Sequence, residues 1–291
     1  MSRALRFAAV QAAPVAAGSP LTAFREEVRG ILADDPTIQC LVYPELHLFG
    51  VEGSSEEQDA QLREHAVALD APFLQELAAI ASTEGVWLVP GSIAERAADG
   101  RVYNTVPVFS PTGALVSHYR KVFLCRPDEL LDPGDQFVVF DIPDVGQVGL
   151  SVCYDSWFPE LSRQLAWMGA DVVLNVAKTM SPERAQEIVI TRANSIVNQT
   201  FTVSVNCAGP IGVGRSLIVD PEGAVLAEDP GAETAVLTQT IDFDHVRRVR
   251  EHGTADAIRV WTHFSEGDPV VKLPLYDGSI TAKRWDIQGP R

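Results

Sequence analysis

The stretch Gly149-Leu150-Ser151-Val152-Cys153-Tyr154-Asp155-Ser156-Trp157-Phe158-Pro159-Glu160 constrains this chain more than any other. An apolar run ends in a cysteine, a polar turn follows, and a proline opens the next segment. The pattern predicts a buried strand that stops abruptly at Cys153 and a helix that starts just after Pro159, because proline suits the first helical turn. A cysteine at such a junction stands near a helix N-terminus, where partial positive charge favours the thiolate. An apolar run ending in cysteine is also ordinary core filling. The stretch by itself therefore leaves catalysis and packing both open.

The rest of the chain supplies a frame for that strand. Apolar runs at 5–10, 38–43, 86–90, 137–140, 145–152, 171–176, 201–205 and 234–241 read as strands. Helical spacing follows Ser19-Pro20 and Pro72, the second helix closing at Gly85. Further helices are predicted after Pro159, from Pro182 to about Asn198, and from an Asp242 cap to about Arg250. Ser110-Pro111-Thr112-Gly113 and Asp220-Pro221-Glu222-Gly223 mark hairpins, and Asp132-Pro133-Gly134-Asp135 marks a turn. The polar segment 51–63 reads as a surface loop. Strands and helices interleave, but the hairpins argue for mixed sheets covered by helices over a purely parallel wound sheet.

No linker or repeat divides residues 1–252, which are expected to form one domain. Residues 253–291 lose periodicity yet carry Trp261, Phe264, Tyr276 and Trp285. Such a tail is expected to pack across the domain or another subunit. The formal net charge of −16 and the lack of a basic stripe argue against a nucleic-acid partner. No apolar run reaches the length of a membrane span. Arg3 and Arg6 before 7–10 imitate a signal peptide, but Gln11 and Pro14 break the apolar region early, so a first core strand is the better reading. Cys40, Cys125, Cys153 and Cys207 form no close pair, which suits a reducing, cytoplasmic compartment.

Glu45, Lys121 and Cys153 each come at or just after a strand-like run. Strand ends are where α/β folds assemble sites. A thiol needs a base, which a carboxylate in a dry pocket can supply. Attack on a carbonyl builds charge on oxygen, which a lysine can meet. The three types make a coherent site for acyl chemistry, although a loop carboxylate, a solvated strand-end lysine and a core cysteine would leave the same pattern. The histidines lack metal-ligand spacing, and His47 and His118 read as strand-end polar residues.

These residues lie in motifs that resemble those of the nitrilase superfamily of carbon–nitrogen hydrolases. Tyr43-Pro44-Glu45 followed by Gly50 is similar to the family's first motif, Tyr119-Arg120-Lys121 to its lysine motif, and Cys153-Tyr154-Asp155 with Phe158-Pro159-Glu160 to its nucleophile motif. Pro133-Gly134-Asp135, Arg192-Ala193 with Asn198-Gln199, and Ser216 with Asp220-Pro221-Glu222-Gly223 extend the resemblance over residues 5–228, in family order. The resemblance implies an αββα sandwich and a homodimer or larger assembly. It implies Glu45 as general base, Cys153 as the nucleophile that forms a thioester, and Lys121 with the Tyr154 N–H as oxyanion holders. It further implies Glu129 in a supporting role, with Asp128 as rival, and Trp157 as a pocket residue. No metal or organic cofactor is implied. Tyr154-Asp155 resembles the amidase and carbamoylase branches, whereas nitrilases proper show Cys-Trp-Glu. Ser156-Trp157-Phe158-Pro159-Glu160 resembles N-carbamoylputrescine amidases, and Pro182-Glu183-Arg184-Ala185-Gln186 resembles aliphatic amidases and formamidases. Arg215 departs from the family's Gly-His-Ser. The expected activity is hydrolysis of a small linear amide or N-carbamoyl amine, with a nitrilase or a retired scaffold as alternatives.

Overall fold

The computed structural model describes residues 3–263, 265–272 and 278. Two sheets stack face to face. The first contains β1 (Ala4–Gln11), β2 (Cys40–Val42), β3 (Trp87–Val89), β4 (Ile93–Arg96), β5 (Val102–Phe109) and β6 (Leu115–Arg120). The second contains β7 (Val139–Ile142), β8 (Gly146–Val152), β9 (Val172–Ala177), β10 (Phe201–Asn206), β11 (Leu217–Val219) and β12 (Val225–Glu228). The chain then returns through β13 (Ala235–Asp242), which pairs antiparallel with β1 along its full length.

Both sheets are mixed, as the hairpin signals required. β1, β2 and β3 run parallel, as do β8, β9 and β10, while β5–β6 and β11–β12 are antiparallel hairpins. Alternation along β1 explains why two layers form on it. Phe7 and Ala9 join the cluster that includes Val42, Val89, Leu150, Val152 and Val203, whereas Ala8 and Val10 join a cluster with Phe24, Val28, Leu77 and Ile80. Those four residues come from α1 (Thr22–Asp34) and α3 (Pro72–Glu84), which cover the first sheet. The helices α4 (Pro159–Trp167) and α5 (Arg184–Asn198) cover the second, and Gly149 lets the Leu165 side chain close onto β8. The result is the expected αββα sandwich in one domain.

Two elements escape the sequence reading. Residues within 51–63, expected as a loop, include most of α2 (Ser55–His65). Its start is fixed by a capping box in which Glu57 N–H donates to Ser54 Oγ and Ser54 N–H donates to Glu57 Oε2. Only Leu62 in this helix is buried, so no apolar stripe announces it. The short β4 was also unpredicted; it is held by pairing to β5. At the other end, α6 (Phe243–His252) starts at the expected Asp242 cap, whose Oδ1 accepts the Asp244 N–H at 3.0 Å. Beyond it, Trp261 lies 6.0 Å from Trp167 of α4 and donates to the Asn198 carbonyl at 3.2 Å. This part of the tail thus packs on its own chain. Phe264, Tyr276 and Trp285 lie outside the described residues. Among the described residues no helix is long and apolar enough to cross a membrane, and the four cysteines are free.

Candidate active site

Glu45 follows β2, Lys121 follows β6, and Cys153 follows β8. The first two therefore hang from one sheet and the third from the other. The site forms where the two sheets of the sandwich meet at their strand ends.

Glu45 and Lys121 are 3% and 0% exposed, so Lys121 is not the solvated strand-end charge that the sequence left open. Lys121 Nζ donates to Glu45 Oε1 at 3.0 Å and also to Glu129 Oε1. The Cys125 N–H holds the other Glu129 oxygen at 3.1 Å. Burial alone would lower the Lys121 pKa, but Glu45 and Glu129 more than offset it and hold the ammonium well above the ordinary lysine range. Asp128, the rival to Glu129, is exposed.

Glu45 is anchored by a residue the sequence reading missed. Asn104 Nδ2 donates to Glu45 Oε1 at 2.7 Å, and the Asn104 carbonyl accepts the Lys121 N–H at 2.8 Å. A buried amide within the largely apolar strand β5 was the available signal. Both side-chain bonds fall on Oε1 and leave Oε2 outside them. Two glycines let the backbone close around these groups. A Cβ at Gly91, where φ is +86°, would run into the Pro44 carbonyl, and one at Gly134 would run into the Arg120 carbonyl. Gly134 N–H donates to the Lys121 carbonyl at 2.8 Å, which explains the predicted turn at 132–135.

Cys153 stands at the start of a short 3-10 turn, Cys153–Trp157, and not of an α-helix; α4 starts only at Pro159. Local side-chain bonds shape this turn. Ser156 Oγ donates to the Cys153 carbonyl at 2.9 Å, and Asp155 Oδ2 accepts the Val152 N–H at 2.9 Å. Cys153 itself has φ of +49°, a left-handed conformation that costs a non-glycine residue about 1–2 kcal/mol. The expected thiolate is also not favoured. Burial, and next the Glu45 carboxylate, push the thiol well above its ordinary range, while Lys121 pulls the other way.

Asp155 binds the Cys153 turn to the lysine segment. Its carboxylate accepts the Tyr119 hydroxyl and the Phe123 N–H, each at 2.8 Å, one on either side of Lys121. Complete burial pushes Asp155 up to about 6, against the Lys121 charge and these donors. Tyr154 and Trp157 are half-buried, with ring centroids 6.2 Å apart, beside Phe158, which stacks on Phe123 at 3.8 Å. Behind Cys153 stands a second group unseen in the sequence. Thr179, just after β9, lies 3.9 Å from Cys153 Sγ and donates to Glu187, which pairs with Arg184 at 3.0 Å. The buried face of α5 carries Arg184, Glu187, Thr191, Ser195 and Asn198, so apolar periodicity could not mark it. Arg215 has an exposed side chain, and its carbonyl accepts from Arg184 at 3.0 Å.

This fold, with a buried carboxylate and ammonium and a half-buried thiol at its strand ends, is that of a C–N bond hydrolase. The chain belongs to the carbon-nitrogen hydrolase family, whose profile matches residues 6–251. It is 29% identical over 236 residues to a formamidase of Pseudomonas syringae pv. syringae, covering 78% of this chain and 68% of that protein. It is 31% identical over 204 residues to the human omega-amidase NIT2, covering 65% and 73%. Among solved structures it resembles a variant of the amidase from Nesterenkonia sp. AN1, with a TM-score of 0.68 and 26% identity over 86% of this chain and 95% of that one. That structure shows the acetamide moiety of fluoroacetamide added covalently at the active-site cysteine. The protein is an amidohydrolase acting on small-molecule amides.

Proposed function

We propose that the protein hydrolyses a small linear amide or N-carbamoyl amine through a thioester on Cys153. The observation that carries the reading is the Glu45–Lys121 pair, buried at the strand ends beside Cys153, with Lys121 also bonded to the half-buried Glu129. The covalent adduct at the cysteine of the Nesterenkonia amidase supports the same role for Cys153.

Glu45 takes the thiol proton as sulfur bonds to the carbonyl carbon and the carbonyl electron pair moves to oxygen. Lys121 Nζ and the Tyr154 N–H hold that oxyanion. The C–N bond then breaks, nitrogen takes the proton from Glu45, and ammonia or amine leaves a thioester. Water gives a proton to Glu45 and attacks. The C–S bond breaks, sulfur regains the proton, and the acid departs. Glu129 holds Lys121 in place and orders the substrate side of the cluster, and Trp157 lines the pocket. Removing the proton during attack, and not before it, suits a thiol that its surroundings keep protonated.

The same reading divides the chain at Gly253 into a catalytic domain, residues 1–252, and a tail. It makes the protein a homodimer or larger assembly through α4, where Trp167 is exposed, and the aromatic tail. It places the protein in the cytoplasm, in keeping with its free cysteines. Ammonia release across amides, N-carbamoyl amines and nitriles tests the activity. Turnover of an amide or carbamoyl compound that disappears in Cys153→Ala is the expected result; turnover of nitriles alone, or retained turnover in the variant, would overturn it. Light scattering on a sizing column tests the assembly, and a clean monomer would refute it.

A further inference from the structure

Thr179 Oγ1 lies 2.9 and 2.8 Å from the two oxygens of Glu187 and 3.9 Å from Cys153 Sγ. Glu187 and Arg184 are 4% and 1% exposed, and Arg184 also donates to Ser204 Oγ at 3.1 Å. Thr179 is fixed by its backbone, since its N–H donates to Asn206 Oδ1 at 2.7 Å and its carbonyl accepts from Asn206 Nδ2 at 3.2 Å. A hydroxyl has one proton. Set between the two oxygens of a carboxylate that Arg184 pairs, that proton is committed to Glu187. What Thr179 then turns toward the sulfur is lone pairs.

We propose that Thr179 and Glu187 are a positioning pair for the nucleophile: Thr179 accepts the Cys153 S–H, so the pair orients the thiol, keeps the resting enzyme protonated at sulfur and leaves deprotonation to Glu45. The inference rests on the reading of Cys153 as nucleophile. It also accounts for a site that would otherwise waste its base. A thiolate formed beforehand would need no Glu45 in the attack step. The charged groups acting on Cys153 are Glu45, Lys121 and Glu129 on one side and Glu187 with Arg184 on the other. Glu187 raises the thiol's pKa, as Glu45 does, in the direction the pair requires.

The sign of one experiment decides the matter. Cys153 is labelled with iodoacetamide in the full chain over a range of pH, and the labelled peptide is identified by mass, because three other cysteines are present. The compared proteins are wild type, Thr179→Val, Thr179→Ser and Glu187→Gln. Val removes the acceptor of the S–H, so labelling below the midpoint should rise about fivefold, the value of one ordinary hydrogen bond. Ser keeps the hydroxyl and should match wild type. Gln removes the charge and should move labelling the same way as Val. Labelling that falls in Thr179→Val would mean that the hydroxyl donates to the thiolate, and it would overturn the proposal; so would an unchanged profile. A purely structural role would lower the melting temperature without moving the midpoint. If Glu187→Gln fails to fold, the Val and Ser variants still give the answer. Loss of amide turnover in Cys153→Ala supports the nucleophile whichever way Thr179 behaves, so the two readings fail separately.

Discussion

The Tyr119 hydroxyl donates to Asp155 at 2.8 Å, and this bond ties the strand that delivers Lys121 to the turn that delivers Cys153. The two segments come from different sheets, so their spacing depends on few direct links. Tyr119→Phe removes the donor and leaves Asp155 with its two backbone partners. The variant should lose about 1–2 kcal/mol of stability in urea unfolding. Asp155→Asn should cost more, about 2–4 kcal/mol, because an amide cannot accept from all three donors. An unchanged midpoint in Asp155→Asn would remove the clamp from this account.

Asn104 holds the carboxylate expected to act as base. Asn104→Leu keeps the bulk, loses the bond to Glu45 Oε1 and should lower kcat/KM by about ten- to a hundredfold. Stability should suffer less than activity, since Lys121 still holds the same oxygen. Equal losses in both would make Asn104 a packing residue only. Glu45→Gln should cost about a thousandfold in kcat, as expected for loss of a general base.

The lysine segment depends on close backbone approach at Gly134. Gly134→Ala pushes a methyl against the Arg120 carbonyl and should cost about 1–3 kcal/mol. Because the Gly134 N–H bonds to the Lys121 carbonyl, the same variant should also lower kcat. Steady-state kinetics on the folded fraction checks the second part, and a variant with full kcat would contradict it.

His47 gives a pH test apart from the chemistry. It is 1% exposed, stacks on Tyr43 at 4.8 Å, and neither ring nitrogen has a hydrogen-bond partner among the described residues. Burial pushes its pKa down to about 4 from 6.5. Between these values the unfolded chain binds the proton that the folded protein refuses, so stability falls as pH drops through this window. The loss approaches about 3 kcal/mol at its lower end. Asp155 acts in the opposite sense over part of this range, because its raised pKa favours the folded state at low pH. Comparing His47→Phe with wild type cancels that shared contribution. The variant should gain relative stability steadily from pH 7 to pH 4, and a constant difference would show that His47 does not titrate as described.

The sequence made the layers of this fold legible wherever burial is apolar. β1, β8, β9 and β10 announced themselves because both faces of each strand are buried. α2 stayed hidden because its apolar face is a single leucine. The site divides in the same way. Glu45, Lys121 and Cys153 were readable because polar groups end apolar runs, and motif order joined them. Asn104 and Thr179 were not, because each works through a contact with a residue distant in the chain, and Glu187 was not, because it reaches the site only through Thr179. Cys153 opens a 3-10 turn and not α4 itself for a local reason: Ser156 and Asp155 bond back to the backbone and form a tight turn before α4 can begin.

The central claim is a thioester on Cys153. Acid quenching during turnover of an accepted amide, followed by intact-mass and peptide analysis, tests it most directly. The expected result is a mass gain equal to the substrate's acyl group replacing one hydrogen, located on the peptide that holds Cys153, and absent in Cys153→Ala together with ammonia release. An adduct on another residue, or steady ammonia release by Cys153→Ala, would contradict it.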